Sequence, residues 1–352
     1  MAPVIKALQA DGAIDCQVWS TGQHREMLNQ VLGFFGIKTD IDLAIMKPGQ
    51  SLNEVFAGAI TGIDRTLSDE KPDIVLVHGD TSTAAAAATA AFHRRMPVAH
   101  VEAGLRSGRM DQPWPEEFNR RLIDMVSDRH FAPTESSRDH LLREGIDPAR
   151  ITVTGNTVID ALLDAVERLR TDDAGRKALD EEFGFLDPSK PLLLVTGHRR
   201  ESFGDGFSNI CLALRQLGES GQLEIVYPVH LNPNVQGPVN ALLADAPSVH
   251  LIEPVDYRRF VYLMSRSSVI LTDSGGVQEE APSLGKPVLI MRDVTERPEA
   301  VAAGAARLVG TDTNYIVASV IEALAAGPRL IANPYGDGKA SARIVEELKK
   351  CH

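Results

Sequence analysis

Short apolar runs of strand length recur at Cys16–Ser20, Asp73–Val77, Pro97–Val101, Arg129–Ala132 and Ile151–Thr154, each separated from the next by a stretch with helical spacing. That alternation predicts a parallel, doubly wound α/β sheet. A charged, apolar-poor helix and loop, Arg168–Lys190, interrupts the rhythm. A second series then follows at Pro191–Thr196, Leu223–Val229, Val249–Ile252, Ser268–Thr272, Pro287–Ile290 and Ala306–Val309. For a chain of 352 residues this predicts two domains, 1–175 and 190–335, with a closing segment 336–352 whose helix begins near Gly338 and packs back on the first domain. The alanine-rich stretch Thr83–Phe92 reads as a helix whose small side chains permit close packing. Met1–Ala10 has an amphipathic helical pattern rather than that of a signal peptide. A doubly wound domain starts on its central strand, so a first strand and its phosphate-side loop are expected to be absent from this sequence.

Composition narrows the class. With 43% hydrophobic and 24% charged residues and no apolar run of membrane-spanning length, the expectation is a cytoplasmic globular protein with no membrane partner. Cys16, Cys211 and Cys351 lie far apart without metal-ligand spacing and read as reduced and structural, so no metal and no redox cofactor is expected. The net charge of -12 argues against a nucleic-acid surface, which needs a basic footprint. An anionic small substrate would require cations concentrated locally. Such clusters occur at His198-Arg199-Arg200, at Arg292 with Arg297, and at Arg120-Arg121.

In open parallel sheets ligands bind beyond the carboxyl ends of the strands, which singles out the residues following each one. Asp273-Ser274-Gly275-Gly276-Val277-Gln278-Glu279-Glu280 follows one strand-like run and opens a helix. Gly275 and Gly276 let backbone approach an anion, the first helical amides point at it, and Glu280 can accept hydrogen bonds from ribose hydroxyls. An isolated Gly-Gly at a strand end is more often just a tight turn. After other strands come His78-Gly79-Asp80-Thr81, Glu102-Ala103-Gly104 and Thr196-Gly197-His198-Arg199-Arg200. Asp80 alone reads most simply as a helix N-cap. Glu102, directly after an apolar strand, must face a cleft or bear the cost of burial. Glu116 and Glu117 follow Pro115 at a helix start, where the dipole alone favours acidic residues, so structural and functional readings balance.

Taken together, His78-Gly79-Asp80, Val101-Glu102-Ala103-Gly104-Leu105-Arg106, Pro113-Trp114-Pro115-Glu116-Glu117, Thr196-Gly197-His198-Arg199-Arg200-Glu201, Pro228-Val229-His230-Leu231-Asn232-Pro233-Asn234 and Asp273-Ser274-Gly275-Gly276 resemble the bacterial non-hydrolysing UDP-N-acetylglucosamine 2-epimerases over essentially the whole chain. The resemblance implies the GT-B fold, two Rossmann-like domains with the substrate in the cleft between them, and a homodimer. It implies acid/base roles for Asp80, Glu102 and Glu116, with His198 and Arg120 bordering the sugar and diphosphate. It implies UDP binding by Ser274, Gly275, Gly276, Glu280 and Arg297, with Val255 and Phe260 near the uracil. Some family members also bind a second UDP-N-acetylglucosamine as activator, and Gln23, His24, Gln50 and His230 correspond to that region. Family members begin with a strand and a Gly-Thr-Arg-Pro-Glu loop, and this sequence starts beyond both, which reads as a late-assigned start or a shortened chain.

The implied reaction inverts carbon 2 of the sugar, whose proton no adjacent carbonyl acidifies. Departure of UDP from carbon 1 makes that proton labile. Elimination then gives a 2-acetamidoglucal, and re-addition of UDP with protonation from the other face completes the inversion. The scheme needs a diphosphate clamp, an acid, a base and exclusion of water, and no cofactor. A GT-B glycosyltransferase, a hydrolysing epimerase and a UDP-sugar sensor are the rival readings.

Overall fold

The structure is a computed structural model that describes residues 1–22, 25–47, 49–199, 203–328 and 331–350. Two compact units divide the chain, Met1–Ala161 with Gly336–His352, and Leu162–Tyr335. The division falls inside the helix Thr157–Thr171 rather than at residue 175. The first turn of that helix belongs to unit 1 because the Asp160 carboxylate accepts from Ala340 N (3.2 Å) and Ser341 N (2.8 Å), satisfying the opening amides of the helix Ala340–Lys349.

In unit 1, β1 (Trp19–Ser20) pairs in parallel with β2 (Ile41–Asp42). A four-stranded parallel sheet runs β3 (Val75–His78), β4 (Val98–Val101), β5 (Arg129–Ala132) and β6 (Ile151–Val153) in spatial order. The helix Ser82–His93 buries Ala85, Ala86, Ala88, Ala90 and Ala91. Those small side chains let the helices Leu52–Glu70 and Glu116–Val126 pack directly against it. A separate cluster joins the helices Ala2–Ala10 and Ala340–Lys349 to Ala99, Val101 and Phe131 of the sheet, through Val4, Leu8, Ile344 and Leu348.

Unit 2 holds β7 (Leu192–Thr196), β8 (Glu224–Pro228), β9 (Val249–Ile252), β10 (Val269–Thr272), β11 (Val288–Ile290) and β12 (Ala306–Leu308). Their parallel order is β9-β8-β7-β10-β11-β12, so the winding reverses between β7 and β10. Leu193, Leu194, Val195, Val269, Ile270 and Leu271 in these two central strands are fully buried, as strands covered on both faces must be. A topological switch point is where α/β sheets open a ligand crevice at their carboxyl ends, and here the loops after β7 and β10 flank it. No helix among the described residues is long and apolar enough to cross a membrane.

Candidate active site

The switch point of unit 2 is organised by a carboxylate. Asp273, buried at the end of β10, accepts from the backbone amides of His198 (2.6 Å) and Arg199 (2.7 Å) through a single oxygen. The loop after β7 is thereby held against the start of the helix Gly275–Glu280. Ser274 occupies the N-cap position, but its side chain makes no capping bond. The opening amides thus lack a side-chain acceptor from the cap and carry the positive end of the peptide dipoles. A methyl group built on Gly275 would have Arg199 Nη2 and the Arg297 guanidinium as its nearest neighbours, each at 3.9 Å, and one on Gly276 would find nothing within 4 Å. Two guanidiniums and bare helical amides make this an anion cradle suited to a diphosphate.

Glu280 is buried farther along the same helix, and Tyr257 Oη donates to it at 3.4 Å. Burial, followed by the neighbouring Glu279 charge, pushes its carboxyl up to about 8, against a smaller opposing effect of the Tyr257 hydrogen bond. Tyr257 begins the helix Tyr257–Arg266, which carries Phe260, and Val255 lies two residues before it, so the Tyr257 bond ties this segment to Glu280. Arg297 pairs with Glu279. A raised folded pKa means that the folded state binds more protons than the unfolded one between about pH 4.5 and 8, so ligand-free stability falls as pH rises across that window. Glu280→Gln is therefore expected to raise the ligand-free Tm near pH 8 and to change it little near pH 4.5, as thermal melts at the two pH values would record.

His198 stacks on His230, with ring centroids 5.3 Å apart and planes 15° from parallel. Burial first lowers the His198 pKa, Asp273 opposes, and His230 and Arg199 reinforce the lowering. Gln50, in unit 1, is engaged in its own loop, accepting from Lys47 N at 2.5 Å and donating to Ile45 O at 3.3 Å. Gln23, His24 and Arg200 lie outside the described residues.

Unit 1 gathers its chemistry at the ends of β3 and β4. Gly79 (φ 68°) and Glu102 (φ 70°) both adopt left-handed backbone, a costly choice for a non-glycine residue and one that concentrates at functional sites. Glu102 Oε2 lies 3.3 Å from His78 Nε2, and Asn156 Nδ2 donates to Glu102 Oε1 at 3.4 Å. The His78 ring is held well below its ordinary pKa by burial first, then by the Met1 amino group and His100, although about a third of the side chain remains accessible. Its 3.3 Å approach to Glu102 is accordingly made by a neutral ring rather than an imidazolium. Asp80 is not the cap of the following helix. Thr81 is, accepting from Ala84 N, while Asp80 Oδ2 takes both Nε (2.9 Å) and Nη2 (2.8 Å) of Arg120. Asn119 Nδ2 donates to the Asp80 carbonyl at 2.8 Å.

Arg120 sits on the helix Glu116–Val126 one turn after Glu116, so the two share a face. Glu117, about 100° further round the helix, is completely buried. It accepts from Ser107 N at 2.9 Å and lies 3.4 Å from Arg120 and 3.3 Å from Arg121. The structure thus brings Asp80, Glu102, His78 and Arg120 together, and helical spacing turns Glu116 toward them. Asn119, Asn156, Arg199 and Asp273 complete the two sites. Arg199 and Asp273 lay inside quoted motifs, whereas Asn119 and Asn156 carried no signal of their own.

Comparison with known proteins covers the whole chain. A family model described as UDP-N-acetylglucosamine 2-epimerase matches residues 6–349. The UDP-N-acetylglucosamine 2-epimerase of Salmonella typhimurium is 54% identical over 355 residues, spanning 99% of this chain and 94% of the relative. That of Campylobacter jejuni is 46% identical over 360 residues, with the same coverage. Among solved structures, the UDP-GlcNAc 2-epimerase from Neisseria meningitidis bound to UDP-GlcNAc matches with a TM-score of 0.90 at 51% identity, covering 99% of this chain and 96% of that one. A glycosyltransferase from Rickettsia africae, with a TM-score of 0.65 at 15% identity, shares the fold alone. Both units are Rossmann-like, and the chain has the GT-B class of fold.

Proposed function

Because the chain belongs to the UDP-N-acetylglucosamine 2-epimerase family, we propose that it interconverts UDP-N-acetylglucosamine and UDP-N-acetylmannosamine without hydrolysing them. The observation that carries this reading is the grouping of Asp80, Glu102, His78 and Arg120 at adjoining strand ends of unit 1, in a chain whose other unit holds an anion cradle at its own switch point. Ser274, Gly275, Gly276, Arg199 and Arg297 hold the diphosphate, Glu280 the ribose, and the Val255 and Phe260 segment the uracil. His198 and Arg120 border the sugar and diphosphate.

In the forward direction the bond between carbon 1 and the β-phosphate oxygen breaks, and UDP leaves with the electron pair. The proton on carbon 2 passes to a carboxylate as the carbon 1–carbon 2 double bond forms. Re-addition of UDP to carbon 1, with a proton delivered to the opposite face of carbon 2, gives the epimer. Asp80 and Glu102 share these transfers and Glu116 assists. The Arg199 and Arg297 guanidiniums and the amides of the helix Gly275–Glu280 stabilise the departing diphosphate. Incubation with UDP-N-acetylglucosamine, followed by NMR, should give a mixture of the two UDP-sugars. Stoichiometric release of UDP with a free amino sugar would identify a hydrolase instead.

The chain acts as a homodimer in this reading. Phe118 (48% exposed) and Met125 (76% exposed) lie seven residues apart on one face of the helix Glu116–Val126, and Phe92 is exposed on the neighbouring helix Ser82–His93. Light scattering should give a dimer mass, and Met125→Glu should shift it toward the monomer. A second UDP-N-acetylglucosamine acts as activator, with Gln23, His24, Gln50 and His230 as its region. Rate against substrate concentration should then be sigmoidal.

A further inference from the structure

We propose that His100 is a positioning residue, a doubly protonated ring sealed beneath the turns that carry Asp80 and Glu102, which grips the Gly79 carbonyl and so fixes the two carboxylates relative to one another. Its functional part rests on the proton-transfer reading above. His100 stands in β4, two residues before Glu102, and its side chain is 0% exposed. Nδ1 lies 2.5 Å from Asp124 Oδ1, and Nε2 lies 2.8 Å from the carbonyl oxygen of Gly79. A backbone carbonyl and an ionised carboxylate offer only lone pairs. A neutral imidazole carries one N–H, so it would leave one of these contacts as lone pair against lone pair, in a place that water cannot reach. Protonation of both nitrogens satisfies both.

The other escape, a neutral Asp124, is closed by its surroundings. Asp124 Oδ2 receives Arg106 Nη2 at 2.8 Å and Gly104 N at 3.2 Å, two donors, one of them cationic, that favour the carboxylate over the acid. Burial alone would raise the Asp124 pKa, but His100, Arg106 and His130 outweigh it and hold the carboxyl at about 2. Arg106 also pairs with Glu144 at 2.6 Å. His100, Arg106, Asp124 and Glu144 therefore form a set of two cations and two anions, which is how a buried charge is tolerated.

The consequence for the site runs through one helix. Glu116, Arg120 and Asp124 recur every fourth residue along Glu116–Val126, so they form one stripe. At one end of it Asp124 anchors the His100 ring, and in the middle Arg120 grips the Asp80 carboxylate. The His100 hydrogen bond to Gly79 ties the intervening turn to the same stripe. Without that bond the Gly79 carbonyl loses its tether to the stripe and the turn can shift, and misplacing a reacting group by about 1 Å costs on the order of 100-fold in rate.

The test combines spectroscopy with kinetics. In nitrogen-15 NMR of histidine-labelled protein at neutral pH, one buried ring, identified by its loss in His100→Gln, should show both nitrogens protonated. His100→Asn keeps an amide near the Nδ1 position but withdraws the donor from Gly79. It should lower kcat on the order of 10–100-fold with KM within about twofold. The double variant His100→Gln with Asp124→Asn restores a donor toward Gly79 while removing the His100 and Asp124 charges together and leaving Arg106 paired with Glu144, and should recover most of that loss. A singly protonated ring, or His100→Asn with the kcat of the unaltered protein, overturns the proposal. Loss of the signal in either His100→Gln or His100→Asn assigns the ring, so failure of one variant to fold leaves the NMR readout in place. It is also independent of turnover, so an unaltered protein that does not epimerise would count against the proposed reaction and not against the protonated ring.

Discussion

Asp80→Asn is expected to lower kcat by a factor on the order of 10²–10⁴, the usual contribution of a positioned acid or base, while UDP affinity measured by calorimetry stays within about threefold. The asymmetry follows from where the parts lie. Asp80 receives Arg120 at 2.9 and 2.8 Å in unit 1, whereas the anion cradle of Gly275, Gly276, Arg199 and Arg297 belongs to unit 2. Asparagine retains the shape and one oxygen acceptor for Arg120, so the fold should persist and the loss should be chemical. A comparable loss of UDP binding would mean that Asp80 serves the nucleotide rather than the proton transfers.

Gly104→Ala is expected to be the most damaging small change to the fold of unit 1. Gly104 has φ 83°, and a Cβ there would lie 2.3 Å from the Ser137 carbonyl oxygen and 2.9 Å from Leu141 Cγ. Left-handed strain costs about 1–2 kcal/mol and overpacking about 1–3 kcal/mol, so the sum is about 2–5 kcal/mol, or on the order of 10 °C in Tm. Gly108→Ala provides the contrast, because Gly108 shares the positive φ (75°) but has nothing within 4 Å of the added carbon. It should lose only the strain component. Equal losses in the two variants would show that the close approach to Ser137 contributes nothing.

What could be read from the sequence divides along physical lines. Buried parallel strands are continuous apolar runs, so β7 (Leu192–Thr196) and β10 (Val269–Thr272) fall within the runs that the pattern marks, Pro191–Thr196 and Ser268–Thr272. The two-residue β2, Ile41–Asp42, escapes because Lys38-Thr39-Asp40 before it and a single buried-type residue within it give no run to detect. The candidate anion cradle is local, a strand, a turn and a helix start, and so its geometry is legible in the sequence. Taken alone Asp80 reads as a cap as readily as Thr81 beside it, and only the fold decides which side chain turns back to the amides. Its partner Arg120 lies 40 residues away, on a helix that brings it back alongside β3, and no spacing rule encodes such a contact. Helical phase likewise decides between adjacent Glu116 and Glu117, sending the second into the core at 0% exposure. The buried His100–Asp124 pair was invisible, since a lone histidine in an apolar strand reads as core until both of its nitrogens are seen to face acceptors.

The most direct test of the proposed chemistry is isotope exchange at carbon 2. Turnover of UDP-N-acetylglucosamine in deuterium oxide, read by NMR, should place deuterium at carbon 2 of UDP-N-acetylmannosamine and, as equilibrium is approached, at carbon 2 of the remaining substrate. UDP-N-acetylmannosamine formed with its carbon 2 protium fully retained would contradict proton removal and return by the Asp80 and Glu102 carboxylates.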